Sequence, residues 1–388
     1  MPAISKSDES LRALLAQSRR KQRDLISLAR KLVEIESPSD VKSAVDACAD
    51  FAAAHARNLG GRIRIHRHPK FGNALEARFG PRSATSRDAK PILVLGHLDT
   101  VWPIGTLKTM PCKVSRGRLW GPGTLDMKVG VAMVFTAIEL LAEAGLLRRE
   151  IVLLLNGDEE IGSEASRPIT ESLARQSSAV YVLEPAQGLA YKTARKGIGN
   201  WRIEVEGVAA HAGVDFEKGA NALRELARAI ETVSRWTDLD RGRTVSVGVA
   251  GGGTKCNVIP AHAWAEVDAR IVHAADGPRI ERKFASLRAL DPRCKIKVTG
   301  GINRPPMERS RGAVRLFRRA QALARELGFA LEEASSGGGS DGNFTAALGI
   351  PTLDGMGAVG EGAHARHESV LIEHLASRTA LLAAMLAE

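Results

Sequence analysis

The sequence predicts an α/β protein: a mostly parallel sheet sandwiched by helices, interrupted by an inserted α+β, ferredoxin-like domain. Three observations carry this. Short apolar runs, "PILVLGH" (91–97), "IVLLLN" (151–156) and "AVYVLEP" (179–185), alternate with helical stretches. Such runs mark strands covered on both faces. From Ala194 to Asn303 the pattern changes to half-exposed alternation, as in "NWRIEVEG", and the order β, α, β, β, α, β matches the split ferredoxin-like arrangement. After "NRPPM" the helix–loop–strand–helix pattern resumes, so 1–193 and 304–388 form one domain around the insert 194–303.

The elements follow in order. Apolar residues every three or four positions predict helices over Glu9–Ile35 and Lys42–Leu59. "RIRIHRH" (62–68) alternates like a strand, and His66 and His68 on its one face, outside every motif, read as surface residues. A helix spans Met127–Gly145 and closes on its glycine. In the insert, helices over 220–236 and 278–290 separate strands "TVSVGVA", "AWAEVDARIV" and "KIKVTG". Helix 311–327, a glycine-rich loop, strand "IPTLD" and a last helix over 369–387 complete the chain.

The composition bounds the function. The chain has 388 residues, 44% of them hydrophobic and 26% charged, ordinary for a globular protein. No apolar run approaches the roughly 18 residues that span a membrane, and "MPAISKSDESLRALL" shows no secretory apolar region. The four cysteines stand far apart, which fits free thiols in a reducing cytoplasm. The net charge is +11, but the arginines are dispersed among acids and aromatics make up only 4%. That argues against nucleic acid and for a field that draws in small anionic substrates. "GPG" (121–123) lacks the third glycine of a dinucleotide fingerprint, and "GGGTK" lacks the spacing of a phosphate-binding loop.

The chemistry gathers at strand ends and loops. "VLGHLDT" offers His97 and Asp99, "GPGTLDMKVG" offers Asp126, "NGDEE" offers Glu159 and Glu160, "YVLEP" offers Glu184, and "EGAHARHES" offers His364 and His367. In parallel sheets, ligands bind beyond the strand C-termini. Imidazoles with carboxylates suit zinc, and cobalt or manganese fit similar donors. Several carboxylates together suit two ions sharing a carboxylate bridge. His97 and Asp99 are two apart, so in an extended segment the carboxylate can orient the imidazole. Glu159 and Glu160 diverge, so one can bind metal while the other acts as general base. Asp158 reads as a turn acid or a support to the ligands.

These blocks, "GHLDTVW", Gly-x-Gly-x-x-Asp-x-Lys-x-Gly, "GDEEIGS", "LEP" and the terminal Gly-Ala-His, resemble the dinuclear zinc exopeptidases and deacylases that include carboxypeptidase G, aminoacylase, acetylornithine deacetylase and succinyl-diaminopimelate desuccinylase. "RKG", "HAG" and "NVIP" bring the carboxypeptidase G branch nearest, and the resemblance covers nearly the whole chain. It implies two zinc ions, with His97 and Glu184 on one, Glu160 and His364 on the other, and Asp126 bridging. It implies Glu159 as general base, Asp99 steering His97, and a cis peptide after Asp126. It favours His364 over His367 by the placing of Gly362 and Glu368. It implies that the insert is a lid and dimerisation domain whose His211 stabilises the oxyanion, and that Asn257 and Arg270 bind the substrate's free carboxylate, Arg270 by a bidentate grip. In "SSGGGSDGN", Gly338, Gly339 and Ser340 offer an anion nest on the substrate side.

The expected activity is hydrolysis of the amide bond to a C-terminal amino acid with a free carboxylate, on a small peptide or N-acyl amino acid, by a cytoplasmic homodimer. An N-acyl amino acid deacylase or desuccinylase fits the same motifs. A non-catalytic metal-bearing binding protein is the alternative of another class.

Overall fold

The computed structural model describes residues 6–81 and 90–387, with side chains from residue 10 onward. The chain forms two compact units. The first holds residues up to Ala194, Arg309–Ser336 and everything from Ser340; the second holds Arg195–Glu308 with Gly337–Gly339.

The first unit is built on a six-stranded sheet in the order 62–66, 74–79, 151–156, 92–97, 179–182, 352–353. The last four strands run parallel to one another, and the first two add an antiparallel edge. Strands Ile92–His97 and Ile151–Asn156 are buried at every residue. Their side chains alternate between two cores: Ile92, Val94, Ile151, Leu153 and Leu155 join one, Leu93, Leu95, Val152 and Leu154 the other. This is why the runs are apolar throughout and show no period of two. Helices Lys6–Glu34, Val129–Glu143 and Leu375–Leu386 cover the first face. Helix Arg167–Gln176 contributes Leu173 and Ala174 to the second core. The architecture is the α/β class expected.

Two details of the expectation change. The C-terminal helix begins at Leu375, not 369, because Ser369–Leu371 is a strand paired with Arg118–Trp120. Its β-branched Val370 is fully buried there, so packing overrides the helical pattern. His66 is also not a plain surface residue: its Nε2 lies 2.8 Å from Oε2 of the buried Glu76 on the neighbouring strand.

The second unit is a four-stranded antiparallel sheet in the order 244–252, 262–271, 197–206, 295–304. Helices Ala222–Ser234 and Gly277–Ala285 join these strands in the βαββαβ order. Asn221 caps the first helix by accepting from Arg224 N at 3.0 Å. One sheet face is apolar, with Trp201 stacked on Phe284 at 4.2 Å and Trp236 edge-on to the same ring. The alternate residues Asn200, Arg202, Glu204 and Glu266 lie on the other face, where Arg202 pairs with both glutamates.

Candidate metal centre

The parallel strands of the first unit deliver its polar residues to one end. His97 is the last residue of its strand, and Glu159, Glu160 and Glu184 follow the next two strand ends. Asp126 sits in the tight turn Thr124–Lys128 ahead of helix Val129–Glu143, followed by a cis peptide to Met127. Gly130 is the second residue of that helix. A Cβ there would meet Leu183 O at 2.5 Å, so glycine lets the helix bearing Asp126 approach the segment bearing Glu184.

The side chains converge. Asp126 Oδ1 lies 3.1 Å from His97 Nε2, and Asp126 Oδ2 lies 3.3 Å from His364 Nε2. Glu184 Oε1 is 3.7 Å from His97 Nε2, and Glu160 Oε2 is 3.2 Å from His364 Nε2. Asp126 therefore stands between two imidazole–carboxylate sets. Donor atoms of His97, Asp126 and Glu160 fall within 4.8 Å of one another, as do those of His97, Glu159 and Glu184. Glu159 is thus near enough to bind a cation or to serve a water held beside one. His364 reaches the cluster from a left-handed backbone conformation, φ 61°, just after Gly362 at φ 82°. Of the two candidate histidines, His364 and His367, His364 is the one in contact with Asp126 and Glu160.

The electrostatics describe a place that attracts positive charge. Burial opposes charge on His97, yet hydrogen bonds to Asp126 and Asp99 hold its pKa well above the usual range. Hydrogen bonds to Asp126 and Glu160 raise His364 to about 10. Asp126 is pushed well below the carboxylate range: burial works against this, and His364 and His97 outweigh it. Burial raises Glu160 despite its contact with His364. Glu160 Oε1 is buried with no hydrogen-bond partner, an expensive arrangement that a cation would relieve. Mixed imidazole and carboxylate donors with an orphaned oxygen fit divalent metal ions.

The supports differ in part from the sequence reading. Asp99 meets His97 through its main-chain oxygen as well as its carboxylate. His97 Nδ1 lies 2.9 Å from the main-chain oxygen of Asp99 and 3.5 Å from the carboxylate. The strand ends at His97, so the alternation of side chains does not extend to Asp99. The Asp99 carboxylate also accepts from Glu159 N, Glu160 N and Ser39 Oγ at 3.2, 3.1 and 2.7 Å, fixing the turn that presents both glutamates. Asp158 is buried and accepts from Ala165 N and Ser166 N, closing the same loop. Glu368 is a support that motif reasoning leaves without a role. Its carboxylate accepts from Gly123 N, Leu125 N, Asp126 N and Trp102 Nε1 at 2.8–3.1 Å and ties down the turn that carries Asp126. Its only local signal was an acidic residue directly after His367.

Ser340 is corrected. It is fully buried, its Oγ donates to Asp354 Oδ2 at 2.5 Å, and its nitrogen donates to Asn343. It braces its own loop rather than facing a substrate. Its neighbour Asp341 receives hydrogen bonds from Asn156 and Ser163.

The remaining candidates belong to the second unit. His211 is exposed, and its Nδ1 accepts from Gly213 N and Val214 N. Asn257 is exposed, with its main-chain oxygen bonded to Ala212 N. Arg270 Nε donates to both oxygens of Asp268 at 2.8 and 3.0 Å, and Nη1 reaches Gly337 O at 3.4 Å. The carbonyls of Gly338 and Gly339 accept from Arg195.

An α/β sheet that buries surplus carboxylates and imidazoles at its strand ends is the framework of a metal-dependent hydrolase. The family model described as Peptidase family M20/M25/M40 matches residues 93–388, and the chain belongs to that family. It is 29% identical to carboxypeptidase G2 of Pseudomonas sp. over 88% of this chain and 83% of that protein. It is also 29% identical to succinyl-diaminopimelate desuccinylase of Stenotrophomonas maltophilia, over 75% of this chain and 82% of that one. Among solved structures, a Staphylococcus aureus tripeptidase superposes with TM-score 0.79 at 21% identity, covering 94% of this chain and 98% of the other. The Bacillus subtilis YxeP protein, described as a dinuclear metal-binding peptidase, superposes with TM-score 0.67 at 16% identity over 95% and 98%. The protein is thus an enzyme of a metallopeptidase family. Among the described residues no helix is long and apolar enough to cross a membrane.

Proposed function

We propose that this protein is a dinuclear zinc hydrolase that cleaves the amide bond to a C-terminal amino acid bearing a free carboxylate. The observation that carries the reading is Asp126 lying between His97 and His364, one oxygen toward each. His97, Glu184 and Asp126 would hold one ion, and His364, Glu160 and Asp126 the other. Bound there, the ions would polarise the scissile carbonyl and acidify a water.

The protein's own residues do the rest. Glu159 takes the proton from the attacking water and returns it to the departing amine. Asp99 holds the Glu159–Glu160 turn so that the two acids keep separate tasks. Glu368 fixes the turn of Asp126. His211 stabilises the developing oxyanion, and Arg270 and Asn257 bind the free carboxylate, Asp268 setting the angle of the guanidinium. Gly338 and Gly339 line the substrate side. The inserted domain, 194–303, serves as lid and homodimer contact, a reading supported by the edge position of strand Thr244–Gly252 with its exposed Val249. The cytoplasm is the proposed compartment, consistent with four free cysteines.

Deacylation of N-acyl amino acids is the second reading, favoured by the desuccinylase similarity at the same 29% identity. Glu159→Gln tests the shared mechanism. Turnover of N-acyl amino acids and dipeptides should fall about 10²–10⁴-fold while the metal content stays that of the native protein. Turnover within about tenfold would remove Glu159 from the role of base.

A further inference from the structure

We infer that Lys128 is a positioning residue: by gripping the segment 35–39 it locks the turn of Asp126 to the turn of Glu159 and Glu160, so that the bridging acid and the general base keep one geometry. The inference rests on the amide-hydrolase reading above and deepens it.

Lys128 belongs to the Gly-x-Gly-x-x-Asp-x-Lys-x-Gly stretch, and neither metal binding nor proton transfer gives it a task. It is 1% exposed. Lysine is almost never buried so fully, because its ammonium loses the surrounding water. A methionine of similar length would fill the space without that cost. The structure shows what the charge meets instead. Nζ donates to Ile35 O at 2.6 Å. Ile35 directly follows helix Lys6–Glu34. Its carbonyl is one of those a helix end leaves without a donor, at the negative end of the helix dipole. Burial works against the charge on Lys128, while Cys48, Glu368, Asp99 and Glu36 work for it.

From Ile35 the grip passes along buried residues to the other turn. Ser37 Oγ donates to Leu98 O at 2.6 Å. Thr100 N donates to Ser37 O at 2.8 Å, and Ser39 N donates to Thr100 O at 3.1 Å. Segment 37–39 thus clasps Asp99 from both sides in the chain. Ser39 Oγ then donates to Asp99 Oδ2, and the Asp99 carboxylate accepts from Glu159 N and Glu160 N. Lys128 itself is the last residue of the turn Thr124–Lys128 and stands two places after Asp126. Glu368 braces the Asp126 turn and Asp99 braces the glutamate turn. Lys128 and the segment 35–39 join the two. Such a link matters because a misplacement of about 1 Å can cost on the order of 10²-fold in rate.

The test uses the full-length protein as purified, native and with Lys128→Met or Lys128→Gln. Amide hydrogen exchange is followed by mass spectrometry. In either variant the Glu159 and Glu160 amides should exchange at least about tenfold faster, while strand Ile92–His97 keeps its native protection. In steady state, kcat should fall about 10–100-fold with KM within about threefold of native. Ser39→Ala breaks the same route further along. Added to Lys128→Met, it should cost no more than about twofold beyond the larger single loss. Native exchange at Glu159 and Glu160 in both Lys128 variants overturns the inference, as do losses that multiply in the double variant. Protection lost equally across Ile92–His97 in both Lys128 variants makes Lys128 a plain element of the fold and overturns it too. Exchange is read without substrate. A protein that shows the local loosening but hydrolyses no amide therefore keeps the link and overturns the amide-hydrolase reading alone.

Discussion

The first unit buries two clusters of acids and histidines on one sheet, and they are built oppositely. At the sheet's antiparallel edge, Glu76 contacts His66 and Arg78, and Glu150 contacts Arg62 and Arg78. The chain supplies these acids with their cations. At the parallel strand ends, the carboxylates of Asp126, Glu159, Glu160 and Glu184 gather around the imidazoles of His97 and His364. There acids outnumber histidines, and Glu160 keeps a buried oxygen without a partner. Buried acids give a structural ion cluster where arginines balance their charge and a candidate metal centre where only two histidines meet them. Burial and charge are common to both, so the imbalance is the informative feature.

Substitutions can break the comparison at either cluster. The largest effect is expected at the ligands. His364→Ala should reduce turnover by more than the roughly 100-fold typical of losses among ligand supports, while His367→Ala should stay within about threefold. Steady-state kinetics on a single N-acyl amino acid separates the two. Equal effects would mean that the contact of His364 with Asp126 and Glu160 has no functional meaning.

The next effect belongs to Glu368. Glu368→Ala removes the acceptor for three backbone N–H groups and the Trp102 indole. Metal affinity, followed by competition with a chelating dye, should weaken about 10–100-fold. Unchanged affinity would show that the Asp126 turn holds itself.

The smallest effect is expected at the balanced cluster, and only in acid. Chiefly its hydrogen bond to His66, with help from Arg78, lowers the Glu76 pKa from 4.5 to about 2. A carboxyl lowered on folding stabilises the fold above its unfolded pKa and loses that contribution as pH falls through the folded value. The contribution therefore disappears between about pH 4.5 and about pH 2. Denaturant melts across this range should lose on the order of 2 kcal/mol for the native protein and change less for Glu76→Gln. Turnover at neutral pH should be the same in both. Parallel stability curves would contradict the assignment.

The legible parts of the molecule share one physical basis. "PILVLGH" and "IVLLLN" could be read because strands buried on both faces must be apolar at every position. Their polar ends then mark a site, and the structure brings His97, Asp126, Glu160, Glu184 and His364 into one cluster. What the sequence left hidden depended on contacts between distant residues. Glu368 meets residues more than 240 positions away. The hydrogen bond between His66 and Glu76 needs the register of two antiparallel strands. Ser340 stood in a loop whose glycines suggested an exposed nest, yet its hydroxyl is spent on Asp354, which no local pattern announces. The Asp99 carboxylate turned toward the Glu159–Glu160 backbone because the strand stops two residues earlier.

The central claim is that Asp126 bridges two metal ions, and metal stoichiometry tests it most directly. The full-length protein and its Asp126→Asn variant should be stripped with chelator, loaded with zinc, dialysed and analysed by plasma mass spectrometry. The native chain should retain about two equivalents and the variant no more than about one. Fewer than one equivalent on the native chain, or a variant that holds the same number as the native protein, would contradict the account.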